Sequence, residues 1–161
     1  SKINFIKLRP REINTIGELE VTPYLLDHPD PCWGFKVSGN GKSYAHCVDN
    51  ESIRSSRESL GEDLPLYQNI DLMLFDAQYS MSEAQEKKNW GHASAPLGLE
   101  IAVRENIKKI IFSHHDPMAS DEAISKISKL AVNYFETHME DIEGAIPEWS
   151  IAKEGTEYEL V

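Results

Sequence analysis

Apolar positions along this chain fall into two regimes. Up to about residue 48 they come in short runs separated by tight-turn residues, and from residue 70 strand-length runs alternate with stretches of helical spacing. In the first regime, residues 3–8 (Ile3, Phe5, Ile6, Leu8) predict a short strand closed by Arg9-Pro10-Arg11. Residues 16–27 predict one or two strands of a hairpin-rich layer, followed by the abrupt polar turn Asp27-His28-Pro29-Asp30-Pro31. Residues 33–37 and 43–48 flank Ser38-Gly39-Asn40-Gly41, a strong hairpin-turn signal. The polar stretch 50–69 predicts a surface segment, with Asn50-Glu51-Ser52 capping a short helix that Gly61 to Pro65 breaks.

The second regime opens with a strand at 70–76 and a helix-prone segment at 82–88, for which Ser82 is the candidate N-cap. A helix over 95–106 follows, with Pro96 in its first turn and Leu99, Ala102, Val103 and Ile107 on one face. Residues 109–113 predict a buried strand, and Ser120 caps a last long helix over 121–139 with Ala123, Ile124, Ile127, Leu130, Ala131 and Tyr134 inward. Short strands or a tail are expected at 149–152 and 156–161. The pattern is α/β, a hairpin-rich first third followed by βαβα. A crossover helix between strands 70–76 and 109–113 makes them parallel.

Three of these strands end in a polar, metal-competent residue: 43–48 at Asp49, 70–76 at Asp76 and 109–113 at His114. Open α/β sheets place their sites outside the carboxyl ends of their strands, so chemistry is expected along one sheet edge.

Composition narrows the partners. A chain of 161 residues predicts one domain, and a formal charge of −11 argues against a broad electrostatic grip on nucleic acid. A metal site that binds phosphate locally is compatible with that charge, because bound cations reverse the local field. Two cysteines, Cys32 and Cys47, are too few for a disulfide scaffold, although a bridge between them stays open. With no secretory leader and no apolar run near 18 residues, the expected setting is cytoplasmic, without a membrane partner.

Each candidate side chain has a functional reading and a plain one. His28 offers a metal ligand or is an exposed turn histidine. Asp49 has two oxygens that could bridge two ions, or it caps a turn. Strand alternation puts His46 and Cys47 on opposite faces, and Cys47 reads as core. Asp76, an acid directly after a buried strand, needs a partner and could orient a histidine; otherwise it is a capped turn. His92, between Gly91 and Ala93-Ser94, could act as a general acid or phosphate donor, or pack against Trp90 at a helix start. Adjacent His114 and His115 point oppositely on an extended backbone, so only one serves as a direct ligand; Asp116 could hydrogen-bond a nearby amide or hold a histidine in one tautomer. His138, beside Glu136 and Glu140, reads as solvated.

Taken together, the stretches LLDHPDPCWGFKV, YAHCVDNE, DLMLFDAQYS, WGHAS and IIFSHHDPMASDE, from about residue 21 to 122, resemble the carboxyl-terminal half of the metallo-β-lactamase fold. Within that fold they are most similar to the phosphodiesterase-like branch, the cyclic-phosphodiesterase and transfer-RNA 3′-processing relatives. The resemblance implies an αββα sandwich and a site with two divalent metal ions, zinc first, with manganese and iron as alternatives. It assigns His28 to one ion, His114 rather than His115 to the other, and Asp49 to a bridge between them. It also makes Asp76 the support of His92, which contacts the phosphate or the leaving group. His115 and Asp116 match a subfamily signature to which no chemical role is assigned.

One family element is absent from this sequence: the His-x-His-x-Asp-His loop that supplies four ligands. The resemblance therefore implies that residues 1–161 are the carboxyl-terminal half of a hydrolase domain, with the amino-terminal half on another chain, disordered or cleaved. The function it implies is metal-dependent hydrolysis of a small phosphodiester. Such a half would expose core that the missing half, another chain or a second copy must cover. The alternative is a non-catalytic regulatory or interaction module of the same fold with an incomplete metal site. Thioester, lactam and lactone hydrolysis and flavin-linked oxygen chemistry use related ligands in that fold.

Overall fold

Seven strands follow one another across a single sheet in chain order in the computed structural model, which describes residues 3–138 and 144–160. They are β1 (Asn14–Ile16), β2 (Leu19–Leu25), β3 (Trp33–Gly39), β4 (Lys42–Cys47), β5 (Leu72–Asp76), β6 (Lys109–Ser113) and β7 (Glu148–Ile151). The first four pair antiparallel as hairpins, and β4 to β7 pair parallel, so the change of regime in the sequence is the change from hairpins to crossovers. Asn40 and Gly41 turn the chain from β3 to β4 with φ of 52° and 74°, the left-handed pair that suits the twist of a two-residue hairpin.

The crossovers carry α1 (Arg57–Leu60) and a 3-10 turn (Gly61–Leu66), then α2 (Met81–Glu86) and α3 (Ala95–Arg104), then α4 (Asp121–His138). The Ser120 hydroxyl accepts the Ala123 N–H, as an N-cap should. The cap of α2 is Ser80 rather than Ser82: its hydroxyl accepts the Glu83 N–H while Glu83 reaches back to the Ser80 N–H, a closed capping box. The cap of α1 is Ser56, not the 50–52 stretch. Among the described residues no helix is long and apolar enough to cross a membrane.

One predicted strand is absent. Residues 3–8 form none, and Ile3, Phe5 and Ile6 are 77%, 93% and 64% exposed: neither open edge of the sheet, β1 or β7, takes them up as a further strand. Of the two closing segments expected as short strands or a tail, the first is a strand and residues 156–160 are the tail, the chain turning there through a Thr156 N–H to Lys153 carbonyl bond. Positions 139 and 161, which the sequence reading assigned to α4 and to the closing segment, lie outside the described residues.

The core lies on one face of the sheet. Register places Ala45, Met73 and Ile110 level with one another, and Cys47, Phe75 and Phe112 one step on, all of them fully buried. Helix α3 covers this face along β5 and β6, and α4 packs on α3. The approach is close at Gly98, where a Cβ would sit 2.8 Å from both the Phe112 and the Phe75 ring. Burying a Phe or Ile side chain in this layer contributes about 1.5–3 kcal/mol each. The opposite face is only half-buried along Phe35, Val37, Tyr44 and Leu74.

The 50–69 segment is not the surface run that its polarity predicts: Asn50, Glu51, Ser52, Asp63, Leu66 and Tyr67 are buried. Its polar groups go inside because they meet partners there. Asp63, 1% exposed, accepts hydrogen bonds from Arg11, Arg54 and the Leu25 N–H, and Arg54 continues to Asp27 and to the Leu25 carbonyl. Burial alone would raise the Asp63 pKa, but the two guanidinium groups and the amide outweigh it and hold the carboxyl below its ordinary value.

A folded-state pKa below the unfolded value of about 3.9 gives stability that is present above that pH and lost as pH falls through the folded pKa. Asp63→Asn should therefore lose about 3–5 kcal/mol near neutrality and flatten the acid side of the stability curve. Urea unfolding midpoints from neutral pH into the acid measure it. An acid slope as steep in the variant as in the parent would show that Asp63 does not carry it.

Candidate metal centre

The parallel register brings the ends of β4, β5 and β6 to one edge, since Cys47, Phe75 and Phe112 lie level. The residues that follow, Asp49, Asp76 and His114, emerge together there. Asp49 (φ 56°) and His114 (φ 62°) both hold the left-handed conformation, on the order of 1–3 kcal/mol of strain each, which the surrounding structure must maintain. His92 reaches the same edge from the loop before α3. Tyr79 and Ser94 form a parallel bridge, and the Tyr79 N–H donates to the Ala93 carbonyl, so the loop is laid beside the end of β5.

One ligand atom from each of Asp49, Asp76, His92 and His114 falls within 4.8 Å of the others. Two pairs are evident inside this group. His92 Nδ1 lies 3.0 Å from Asp76 Oδ2, and His114 Nε2 lies 2.8 Å from Asp49 Oδ1. They differ in setting: Asp76 is fully buried and the His92 side chain 15% exposed, whereas those of His114 and Asp49 are 35% and 45% exposed. Asp76 also accepts the N–H groups of Asn50, Gln78 and Ala93. Burial pushes its carboxyl above the usual range, and the His92 contact pulls the other way. A carboxylate accepting three amides and facing Nδ1 takes a proton-bearing Nδ1, which leaves Nε2 as the ring atom available for chemistry.

Carboxylate and imidazole donors suit zinc, iron and manganese, and the four donor atoms lie within 4.8 Å of one another, close to the span of about 4.4 Å that opposite ligands of one first-row ion reach. The residues present therefore fit a metal ion. Beside the group, a cavity of about 320 Å³ is lined by Ile53, Met81, Ala84 and Leu97, with His92 and Lys88 also on its wall.

The sequence candidates are sorted as follows. Asp49, Asp76, His92 and His114 come together. His28 stands next to them but outside the four, its ring centroid 6.3 Å from that of His92, with Nδ1 turned to the backbone of Asp30. His92 lies between His28 and His114, whose ring centroid is 5.0 Å away, and it packs edge-on to Tyr79 while Trp90 is 64% exposed. His115 leaves the cluster: its ring sits near the Ala77 backbone with neither nitrogen in a hydrogen bond of ordinary geometry, and burial lowers its pKa. Asp116 accepts the Met118 N–H, His46 pairs with the Tyr44 hydroxyl, Cys47 is core, and His138 stacks on Tyr134 at the surface.

Sequence reasoning missed Asn50. Its side chain accepts the Asp27 and Ser52 N–H groups and donates to the Ser52 and Tyr67 hydroxyls, while its own N–H binds Asp76. It joins the His28 turn to the end of β5. Its only sequence signal is its position directly after Asp49.

No known family profile matches the chain. A ribonuclease Z from Azobacteroides pseudotrichonymphae is 28% identical over 119 residues, 68% of this chain and 41% of that protein. Among solved structures, the metallo-β-lactamase fold protein YhfI from Bacillus subtilis superposes with a TM-score of 0.69 at 19% identity, over 94% of this chain and 54% of its own. The short form of human tRNase Z superposes with a TM-score of 0.56 at 14% identity, over 87% of this chain and 42% of its own. The chain thus spans about half or less of the length of the proteins it matches. These likenesses show an α/β fold of metallo-β-lactamase type.

Proposed function

We propose that this chain forms one side of a dinuclear metallo-hydrolase that cleaves phosphodiesters, with the remaining ligands coming from an amino-terminal half of the same fold. The observation that carries the proposal is the Asp76–His92 pair aimed at the Asp49–His114 pair. In this reading His28, His114 and Asp49 would hold two divalent ions, zinc first with manganese or iron as alternatives, His28 serving one, His114 the other and Asp49 both. The ions, when bound, supply Lewis acidity and an activated water.

The chain's own residues do the rest. Asp76, held by three amides, keeps the proton of His92 on Nδ1 and steadies the ring if it becomes cationic. When the ring is cationic, with a proton on each nitrogen, His92 Nε2–H donates to a non-bridging oxygen of the phosphate or passes its proton to the leaving oxygen, which returns the ring to the neutral form protonated on Nδ1. The names ribonuclease Z and tRNase Z of two relatives support phosphate chemistry, while a charge of −11 favours a small phosphodiester over an extended nucleic-acid track. Exposed Phe5, Ile6 and Ile13 and the half-buried face along Phe35, Val37, Tyr44 and Leu74 support a covering partner: the amino-terminal half, another chain or a second copy. Cys32 and Cys47 are free thiols, which agrees with a reducing, cytoplasmic setting.

A second reading, a non-catalytic regulatory or interaction module, rests on the missing His-x-His-x-Asp-His loop. Elemental analysis without added metal on the chain together with the amino-terminal half that completes its ligand set, combined with hydrolysis of bis(4-nitrophenyl) phosphate, separates the two. Two ions per chain and turnover that a chelator abolishes are expected. One ion or none, with no turnover, would overturn the hydrolase reading for this chain and leave the module.

A further inference from the structure

Glu51 lies two residues beyond Asp49 and is 8% exposed, a carboxylate taken out of water at considerable free-energy cost unless its oxygens are satisfied. The partners it has are two backbone amides of the loop that carries His92. One oxygen accepts the Asn89 N–H at 2.7 Å and the other the Gly91 N–H at 3.2 Å. Both residues are held in left-handed conformations, with φ of 70° at Asn89 and 92° at Gly91. The Glu51 backbone is itself anchored, its N–H donating to the Asp27 carbonyl at 2.7 Å, immediately before His28.

The clamped loop also touches the other side of the site. A Cβ on Gly91 would fall 2.4 Å from His28 Cδ2 and 2.8 Å from Nε2, so the His28 ring rests directly against the Gly91 backbone. His92 is the next residue. One carboxylate therefore holds the short stretch that forms the wall for His28 and leads into His92.

We propose that Glu51 is a positioning residue that sets the placement of the His28 and His92 rings by clamping Asn89 and Gly91. The functional weight of that placement rests on the reading of His28 as a ligand and His92 as a phosphate donor. A carboxylate suits the task because two N–H donors converge on it and need two acceptors. Glutamine keeps the volume but offers one acceptor, and turns its NH2 toward the second amide.

The test compares the full chain, Glu51→Gln, Glu51→Asp and, as a core control away from the loop, Ile70→Val. Long-range 1H–15N spectra of the imidazoles are recorded without metal, amide exchange is followed at Asn89 and Gly91, and zinc is titrated. In Glu51→Gln the His28 and His92 ring nitrogens should shift while those of His138 stay in place. The two amides should exchange at least about 10-fold faster, and zinc affinity should fall about 10–100-fold, as for loss of a group that orients ligands. Ile70→Val should leave all of these unchanged.

Unchanged ring signals in Glu51→Gln, or the same shifts in Ile70→Val, would overturn the proposal. Should Glu51→Gln fail to fold, Glu51→Asp, which keeps both acceptors but shortens the reach, decides by the same signals, shifted rings supporting the clamp and unshifted rings overturning it. A parent chain that binds no zinc would defeat the metal reading, and the metal-free ring signals would still decide the role of Glu51.

Discussion

Asp49→Asn is expected to lose metal and activity together. Asparagine accepts a left-handed backbone as readily as aspartate, so the φ of 56° at this position adds no new strain, and a side chain 45% exposed leaves no buried charge behind. The substitution removes only the negative charge and one ligand oxygen. Loss of a partner that merely orients a ligand lowers metal affinity or activity about 10–100-fold, and a carboxylate spanning two ions should exceed the upper end of that range. Zinc titration and elemental analysis, each against a thermal melt to show an intact fold, measure it. Full metal content in Asp49→Asn would remove Asp49 from the site.

His92→Ala should separate turnover from metal. General acid–base catalysis contributes about 10²–10⁴-fold, and that factor should disappear from kcat while the metal content stays at the parental level. The fold should tolerate the change, because Asp76 retains the amides of Asn50, Gln78 and Ala93 when the ring is gone. Loss of metal along with turnover would instead make His92 a ligand, which the common spread of the four donor groups also permits geometrically. Steady-state kinetics with bis(4-nitrophenyl) phosphate and elemental analysis of the same sample distinguish the two.

The contrast between these variants follows from the environment of each pair rather than from residue type. Asp49 lies just past the end of β4 and Asp76 is the last residue of β5, yet one is half-exposed beside His114 and the other is sealed beneath His92 with three amides around it. Charge open to a ligand and charge committed to a neighbour do different work.

Much of this arrangement is written in local patterns. Runs such as Lys109–Ser113 are strands because a short apolar stretch bounded by polar residues can hide both faces only in a sheet. Asn40-Gly41 makes a hairpin because left-handed angles are accessible there at little steric cost. The long connection between β5 and β6 forces them parallel, and from that alone Asp76 and His114 must leave the sheet at the same edge. The family resemblance added the pairing of Asp76 with His92, sixteen residues apart, whose Nδ1–Oδ2 contact the geometry then provides.

Other features depended on contacts that no local window contains. Residues 3–8 have the pattern of a strand but join neither open edge of the sheet, and their apolar side chains stay exposed. Asn50 and Glu51 have the polarity of a surface turn but are buried, because Asp27, Asp76, Asn89 and Gly91 converge on them from three other segments. Hydrophobic periodicity records which face of an element turns inward. Whether a polar side chain can follow it depends on hydrogen-bond partners distant in sequence, and only the assembled fold brings those together.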